Sequence, residues 1–188
     1  WLVLCLGLVG CVSHNELAYV TGPVENADIQ RIFVATTRQP TTPDKAYTAE
    51  RSTEVHYASY AVSVPPAHQP GQIEWPGKRP DPAKDFMTVN ATQLENSAAF
   101  RMSLDGEFAH LPAGQRNAVV FVHGFNNSFA EGLYRIVQMS HDLNVGGVKL
   151  HYSWPSAGTE SGYAYDRDSA AFARDGLEAM LKALAATK

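Results

Sequence analysis

Ala118-Val119-Val120-Phe121-Val122-His123-Gly124-Phe125-Asn126-Asn127-Ser128 is the stretch that decides the fold. An unbroken apolar run stops at His-Gly. A short apolar run closed by a turn signal predicts a strand buried on both faces, as in a parallel sheet. Gly124 lets the chain bend sharply and lets a ligand come close to the backbone, because no Cβ stands in the way. Ser128 and Glu131 have the S-x-x-E spacing of a capping box, which predicts a helix starting near Phe129. Strand, glycine turn and helix start in succession leave free N–H groups at the carboxyl end of a sheet. Open α/β folds place their chemistry there.

Downstream the order is strand, helix, strand, helix, which calls for a parallel sheet with right-handed crossovers. Phe129, Leu133, Ile136, Val137, Ser140 and Leu143 form the inner face of the first helix, which Gly146-Gly147 should stop. Val148, Leu150, Tyr152 and Trp154 alternate as the next strand, ended by Pro155. Lys149, His151 and Ser153 face the other way, so this strand is expected to lie less deeply than 118–122. Phe172, Ala173, Leu177, Met180, Leu181 and Leu184 form the stripe of one last helix. Two parallel strands alone leave an open edge, so a further strand is expected past Lys188.

Upstream, residues 31–37 read as a strand, 41–52 as a polar loop, and 57–64 as a second strand closed by Pro65-Pro66. The two should form an antiparallel meander. Short strands are expected at 73–75 and 86–90. Phe100, Leu104, Phe108 and Leu111 repeat at helical spacing behind Asn96 or Ser97 as cap. The fold class is therefore α/β, a mostly parallel sheet with N-terminal antiparallel strands.

A chain of 188 residues holds one domain with a sizeable core, not two. Its net charge of −4 and lack of any Lys/Arg cluster argue against nucleic acid as a partner. The seven histidines never fall at H-x-H or H-x-x-x-H spacing, so neither a metal site nor a cofactor is expected.

Residues 1–12 are nearly all apolar. The run is too short to span a bilayer, which takes about 20 apolar residues, but it has the length of a signal-peptide apolar region. Leu8-Val9-Gly10-Cys11 resembles a bacterial lipobox. That resemblance implies acylation of Cys11 and stable anchoring by several acyl chains. Val12 after the cysteine implies sorting to the outer membrane, facing the periplasm. Residues 12–29 would then be a polar tether. The alternative reading is an apolar N-terminal helix with Cys5 and Cys11 as buried thiols.

Residues 31–37, Val64-Pro65-Pro66, Val122-His123-Gly124-Phe125-Asn126, Tyr152-Ser153-Trp154-Pro155-Ser156 and Tyr165-Asp166-Arg167-Asp168-Ser169 together resemble a bacterial branch of the α/β-hydrolase superfamily. That branch is esterase- or lipase-like and of undefined substrate. The likeness spans residues 30–188. It implies a Ser–His–acid hydrolase whose serine sits in a G-x-S-x-G elbow, followed by the acid and the histidine.

These 188 residues contain no such elbow. Ser156 and Ser161 each miss the pattern, so the sequence reads as the N-terminal part of a hydrolase, truncated before the nucleophile. What the resemblance leaves is the oxyanion side: the Phe125 backbone N–H as donor, Gly124 giving access, and Asn126 as reserve donor. His123 would shape the turn. Trp154 and Ser156 either line a substrate pocket or simply pack, and Asp166, Arg167 and Asp168 should form a structural ion pair at a helix start. A small ester or acyl compound would be the substrate. The rival class is a non-catalytic envelope lipoprotein that uses the same scaffold for binding.

Overall fold

The computed structural model describes residues 14–20, 22, 24–41 and 46–187. The expected lipidation site, Cys11, lies outside the described residues. β1 (Asp28–Pro40) carries apolar side chains at both parities, and this decides where it sits. Ile32 and Val34 belong to one buried cluster and Phe33 and Ala35 to another, so the strand needs cover on both faces. It is the centre of a five-stranded sheet.

β2 (Tyr47–Val64) and β3 (Met87–Leu94) extend the sheet on one side in antiparallel pairing. β5 (Val148–Ser153) and β4 (Ala118–Val122) extend it on the other in parallel pairing, giving the order β3-β2-β1-β5-β4.

Two helical layers close the core. α2 (Phe129–Asp142) lays Phe129, Leu133, Ile136 and Val137 against Ile32, Val34, Tyr60 and Val62. α1 (Ser97–His110) and α4 (Arg174–Ala185) cover the opposite face, with Phe100, Leu104 and Met180 against Phe33, Leu150 and Tyr152. Asn96 caps α1 by accepting the N–H groups of Ala98 and Ala99, both at 3.0 Å. The Ser128–Glu131 capping box of α2 is present in both directions.

Several expectations are corrected. The 118–122 run is not buried on both faces: β5 inserts between it and β1, so β4 is an edge strand and Val122 is 43% exposed. β5 is the deeper strand, with His151 and Ser153 fully buried and His151 packed beneath Gly132 of α2. Within the expected loop 41–52, residues 47–52 are strand, because the start of β2 pairs with the end of β1 and Tyr47 buries against Phe129. Residues 73–75 form no strand; Glu74 offers its carbonyl to Phe86 N–H, and Trp75 packs on Tyr134.

α2 ends at Asp142, earlier than the glycine pair, where Asn144 takes a left-handed conformation (φ 48°). Leu143 therefore falls outside the inner face and is exposed. The last helix is two: α3 (Tyr163–Phe172) and α4 meet at buried Ala173, which leaves Phe172 and Leu181 partly in solvent. Within the expected tether, residues 14–20 run along the domain. Ser128 Oγ donates to the His14 carbonyl, His14 stacks on Trp75, and Tyr19 bridges Thr88.

Candidate functional site at the carboxyl end of the parallel strands

β4 passes the chain to α2 through residues 123–128, and the amides of Asn126, Asn127 and Ser128 each have a distinct acceptor. Asn126, in a left-handed conformation (φ 55°), donates its N–H to Asp166 Oδ2 at 3.1 Å. Asn127 N–H donates to Ser156 Oγ at 3.0 Å, and Ser128 N–H donates to Glu131 Oε2 at 2.7 Å. Phe125 N–H makes no hydrogen bond among the described residues. The Asn127 side chain reaches back to the Phe125 carbonyl at 2.6 Å and holds the turn from outside. A Cβ placed on Gly124 would meet nothing within 4 Å, so the turn is open on that side. The reserve donor, Asn126, is already engaged by Asp166.

Asp166 was expected in an ion pair. It is instead a buried acceptor hub in the first turn of α3. Besides Asn126 it accepts Ser156 Oγ–H at 2.5 Å and Ala157 N–H at 2.6 Å. The ion pair at this helix start is Arg167 with Asp168, at 2.9 Å and largely exposed. Ser156 is fully buried, with its Oγ donating to Asp166 and accepting from Asn127, so it works as a strut.

Arg38, at the end of β1, was missed from sequence. Its side chain is buried, and its guanidinium donates to Ser153 Oγ (2.9 Å), the Thr48 carbonyl (3.2 Å), the Ser156 carbonyl (3.1 Å) and the Asn127 carbonyl (2.8 Å). One planar fork thus ties β2, the turn after β5 and the turn after β4 together, geometry that an ammonium cannot reproduce. Burial pulls its pKa down to about 10, opposed by the nearby Asp166 carboxylate, so it stays cationic at neutral pH. The signal for it is a charged residue closing an otherwise apolar strand.

His123 does shape the turn. Its Nδ1 lies 2.8 Å from the Gly124 carbonyl and its Nε2 lies 3.0 Å from the Trp154 carbonyl. Burial, reinforced by Arg38, holds its pKa down at about 4. The neutral ring has one N–H and can donate to only one of those carbonyls. Trp154 stacks on His123 with ring centres 4.9 Å apart and donates Nε1–H to the His123 carbonyl at 2.8 Å. It is a packed aromatic.

A cleft of about 370 Å³ opens at this end of the sheet, lined among others by Leu17, Arg38, Tyr47, Ser128, Phe129 and Ser156. Trp154 is not among its lining residues. The cleft is apolar along Leu17, Tyr47 and Phe129, which suits part of an organic substrate. Elsewhere, His68, His141 and Asp142 place one donor atom each within 4.8 Å of one another. Sequence spacing missed this group because the fold alone brings position 68 to positions 141 and 142.

The model of the family described as alpha/beta hydrolase of unknown function (DUF900) matches residues 102–188. Neither a curated protein nor a solved structure matches the chain. The matched stretch contains β4, the 123–128 turn, α2, β5 and the Asp166 hub. The chain thus carries an α/β-hydrolase-like domain.

Proposed function

We propose that this chain is the oxyanion-side part of a lipid-anchored acyl hydrolase that cleaves an ester or related acyl bond by Ser–His–acid chemistry. The observation that carries the proposal is the unused Phe125 N–H, followed by three amides that are all engaged, at the carboxyl end of the parallel strands. Attack by a serine on the substrate carbonyl puts negative charge on the former carbonyl oxygen. A preorganised amide stabilises that charge without reorganising, an effect of about 2.7–4 kcal/mol per donor in well-studied cases.

In this reading Asp166, Ser156 and Arg38 are positioning residues that fix the turn. Gly124 leaves room for the acyl group. The nucleophile belongs to sequence C-terminal to Lys188, at the end of a strand that pairs with the free edge of β4, and its acid and histidine follow that strand. Acylation of Cys11 holds the domain at the periplasmic face of the outer membrane.

The test uses the full-length reading frame with p-nitrophenyl esters and a fluorophosphonate label. We expect one labelled serine in a G-x-S-x-G elbow. Phe125→Pro, which deletes the N–H, should lower kcat by about 10²–10³. A full-length protein with the fold intact and no such serine would make this a binding module instead. For the anchor, Cys11→Ser should abolish acyl incorporation; persistent labelling would refute the assignment.

A further inference from the structure

At the opposite end of α2 from the acyl site, roughly 20 Å along the helix, a loop meets the last helical turn. His68 comes from the loop after β2, and His141 and Asp142 from the end of α2. His68 Nε2 lies 2.7 Å from Asp142 Oδ1. The second oxygen of Asp142 is fixed by Gly71 N–H at 2.6 Å and by the Gln138 side-chain amide. His68 is nearly buried, Asp142 is mostly so, and His141 is about one-third exposed.

Both imidazoles are held from behind by a carboxylate. His68 Nδ1 lies 2.7 Å from Glu74 Oε2, and His141 Nδ1 lies 2.8 Å from Asp28 Oδ2. A carboxylate on the far nitrogen orients the ring and makes the other nitrogen a better ligand, an arrangement found behind metal-bound histidines.

We propose that His68, His141 and Asp142 bind a divalent transition cation of the zinc class, with Glu74 and Asp28 as its outer supports. Two imidazole nitrogens and one carboxylate oxygen match the donor preference of zinc, and water can complete a tetrahedron. Donor atoms about 2.0–2.2 Å from an ion stand roughly 3.3–3.5 Å from one another. The His68–Asp142 contact therefore opens by roughly 0.6–0.8 Å, and the more exposed His141 ring closes in.

Charge favours the ion as well. Asp28, Glu74 and Asp142 gather three carboxylates, and Lys149 is the cation whose field reaches Asp28. A bound ion would staple the loop after β2, whose Trp75 and Phe86 rings pack on Tyr134, to the helix that carries the acyl-site turn. The role is structural, since the whole length of α2 separates it from Phe125.

The test is calorimetric titration of the untagged, chelator-treated full chain with zinc chloride, with magnesium chloride as the hard-cation control. Thermal melts are recorded in parallel. We expect one equivalent of zinc to bind, a melting temperature raised by zinc and not by magnesium, and nitrogen/oxygen coordination at the zinc absorption edge.

His141→Ala removes a partly exposed ligand, so its metal-free melting temperature should stay near that of the parent while the zinc-dependent rise disappears. Asp142→Asn should weaken the rise. No zinc-dependent shift in the parent, or an equal shift in His141→Ala, overturns the proposal. The His68–Asp142 contact is then a hydrogen bond and nothing more.

Discussion

The Asp166 carboxylate accepts the Asn126 N–H at 3.1 Å across 40 residues of chain. The same carboxylate holds Ser156 and Ala157, so the turn after β4, the turn after β5 and the start of α3 form one hydrogen-bonded unit. Asp166→Ala strips one buried and two half-buried donors of their acceptor and should cost about 2–4 kcal/mol in urea unfolding. In the proposed full-length hydrolase it should lower kcat by about tenfold or more with little change in KM, because a misplaced donor weakens the transition state and not substrate binding. A kcat equal to the parent's would detach Asp166 from the site.

Arg38 fastens that unit from below. Arg38→Met leaves the carbonyls of Thr48, Ser156 and Asn127 without a donor, and a loss of about 3–5 kcal/mol is expected. Arg38→Lys retains charge but not the fork, so its loss should be smaller yet measurable. Equal stability of Lys and Arg at this position, read from chemical denaturation, would show that charge alone suffices.

Gly132 in α2 packs directly on His151. A Cβ there would stand 2.6 Å from His151 Nε2, which has no hydrogen-bond partner among the described residues. Gly→Ala inside a helix ordinarily gains about 1 kcal/mol. Here it should cost about 1–3 kcal/mol, because the ring it strikes is fully buried and cannot give way. Pairing it with His151→Val should recover much of that loss in a double-mutant cycle. Strict additivity of the two changes would contradict the contact.

The buried histidines also set a pH dependence. His123 has its pKa held near 4 and His151 is pushed well below 6.5, both by burial first; Arg38 adds to the push on each. Below pH 6.5 the unfolded chain takes up these protons and the folded chain does not, so the unfolded state gains. Stability should therefore be level above pH 6.5 as far as these two groups go, and fall as the pH drops from 6.5 toward 4. His123 alone contributes on the order of 3 kcal/mol across that window. Urea midpoints at pH 7.5 and 5 measure this, and His123→Gln should flatten the slope. Stability unchanged at pH 5 would contradict neutral burial of the rings.

How much of this was legible in the sequence follows the range of each interaction. The strand–Gly124–Ser128 junction and its capping box are local, and both stand as read. Burial of β4 was misjudged because an apolar run reports β-forming tendency, whereas its place at the edge depends on β5 inserting beside β1. The same insertion buried His151 and Ser153, whose polarity had suggested an exposed face. Arg38 and Asp166 were hidden for a related reason. A lone Arg after an apolar strand or a lone Asp at a helix start carries no spacing signal, and their partners lie some 90 and 40 residues away. The match to residues 102–188 covers the part of the chain where the local signals were densest.

The most direct measurement is a crystal structure of the full-length protein trapped with an organophosphonate ester. The account places the phosphoryl oxygen 2.7–3.1 Å from the Phe125 nitrogen, the distance at which an amide stabilises an oxyanion, with Asn126 still bound to Asp166. A phosphoryl oxygen held by other donors, with Phe125 N–H turned away or bonded within its own turn, would contradict it.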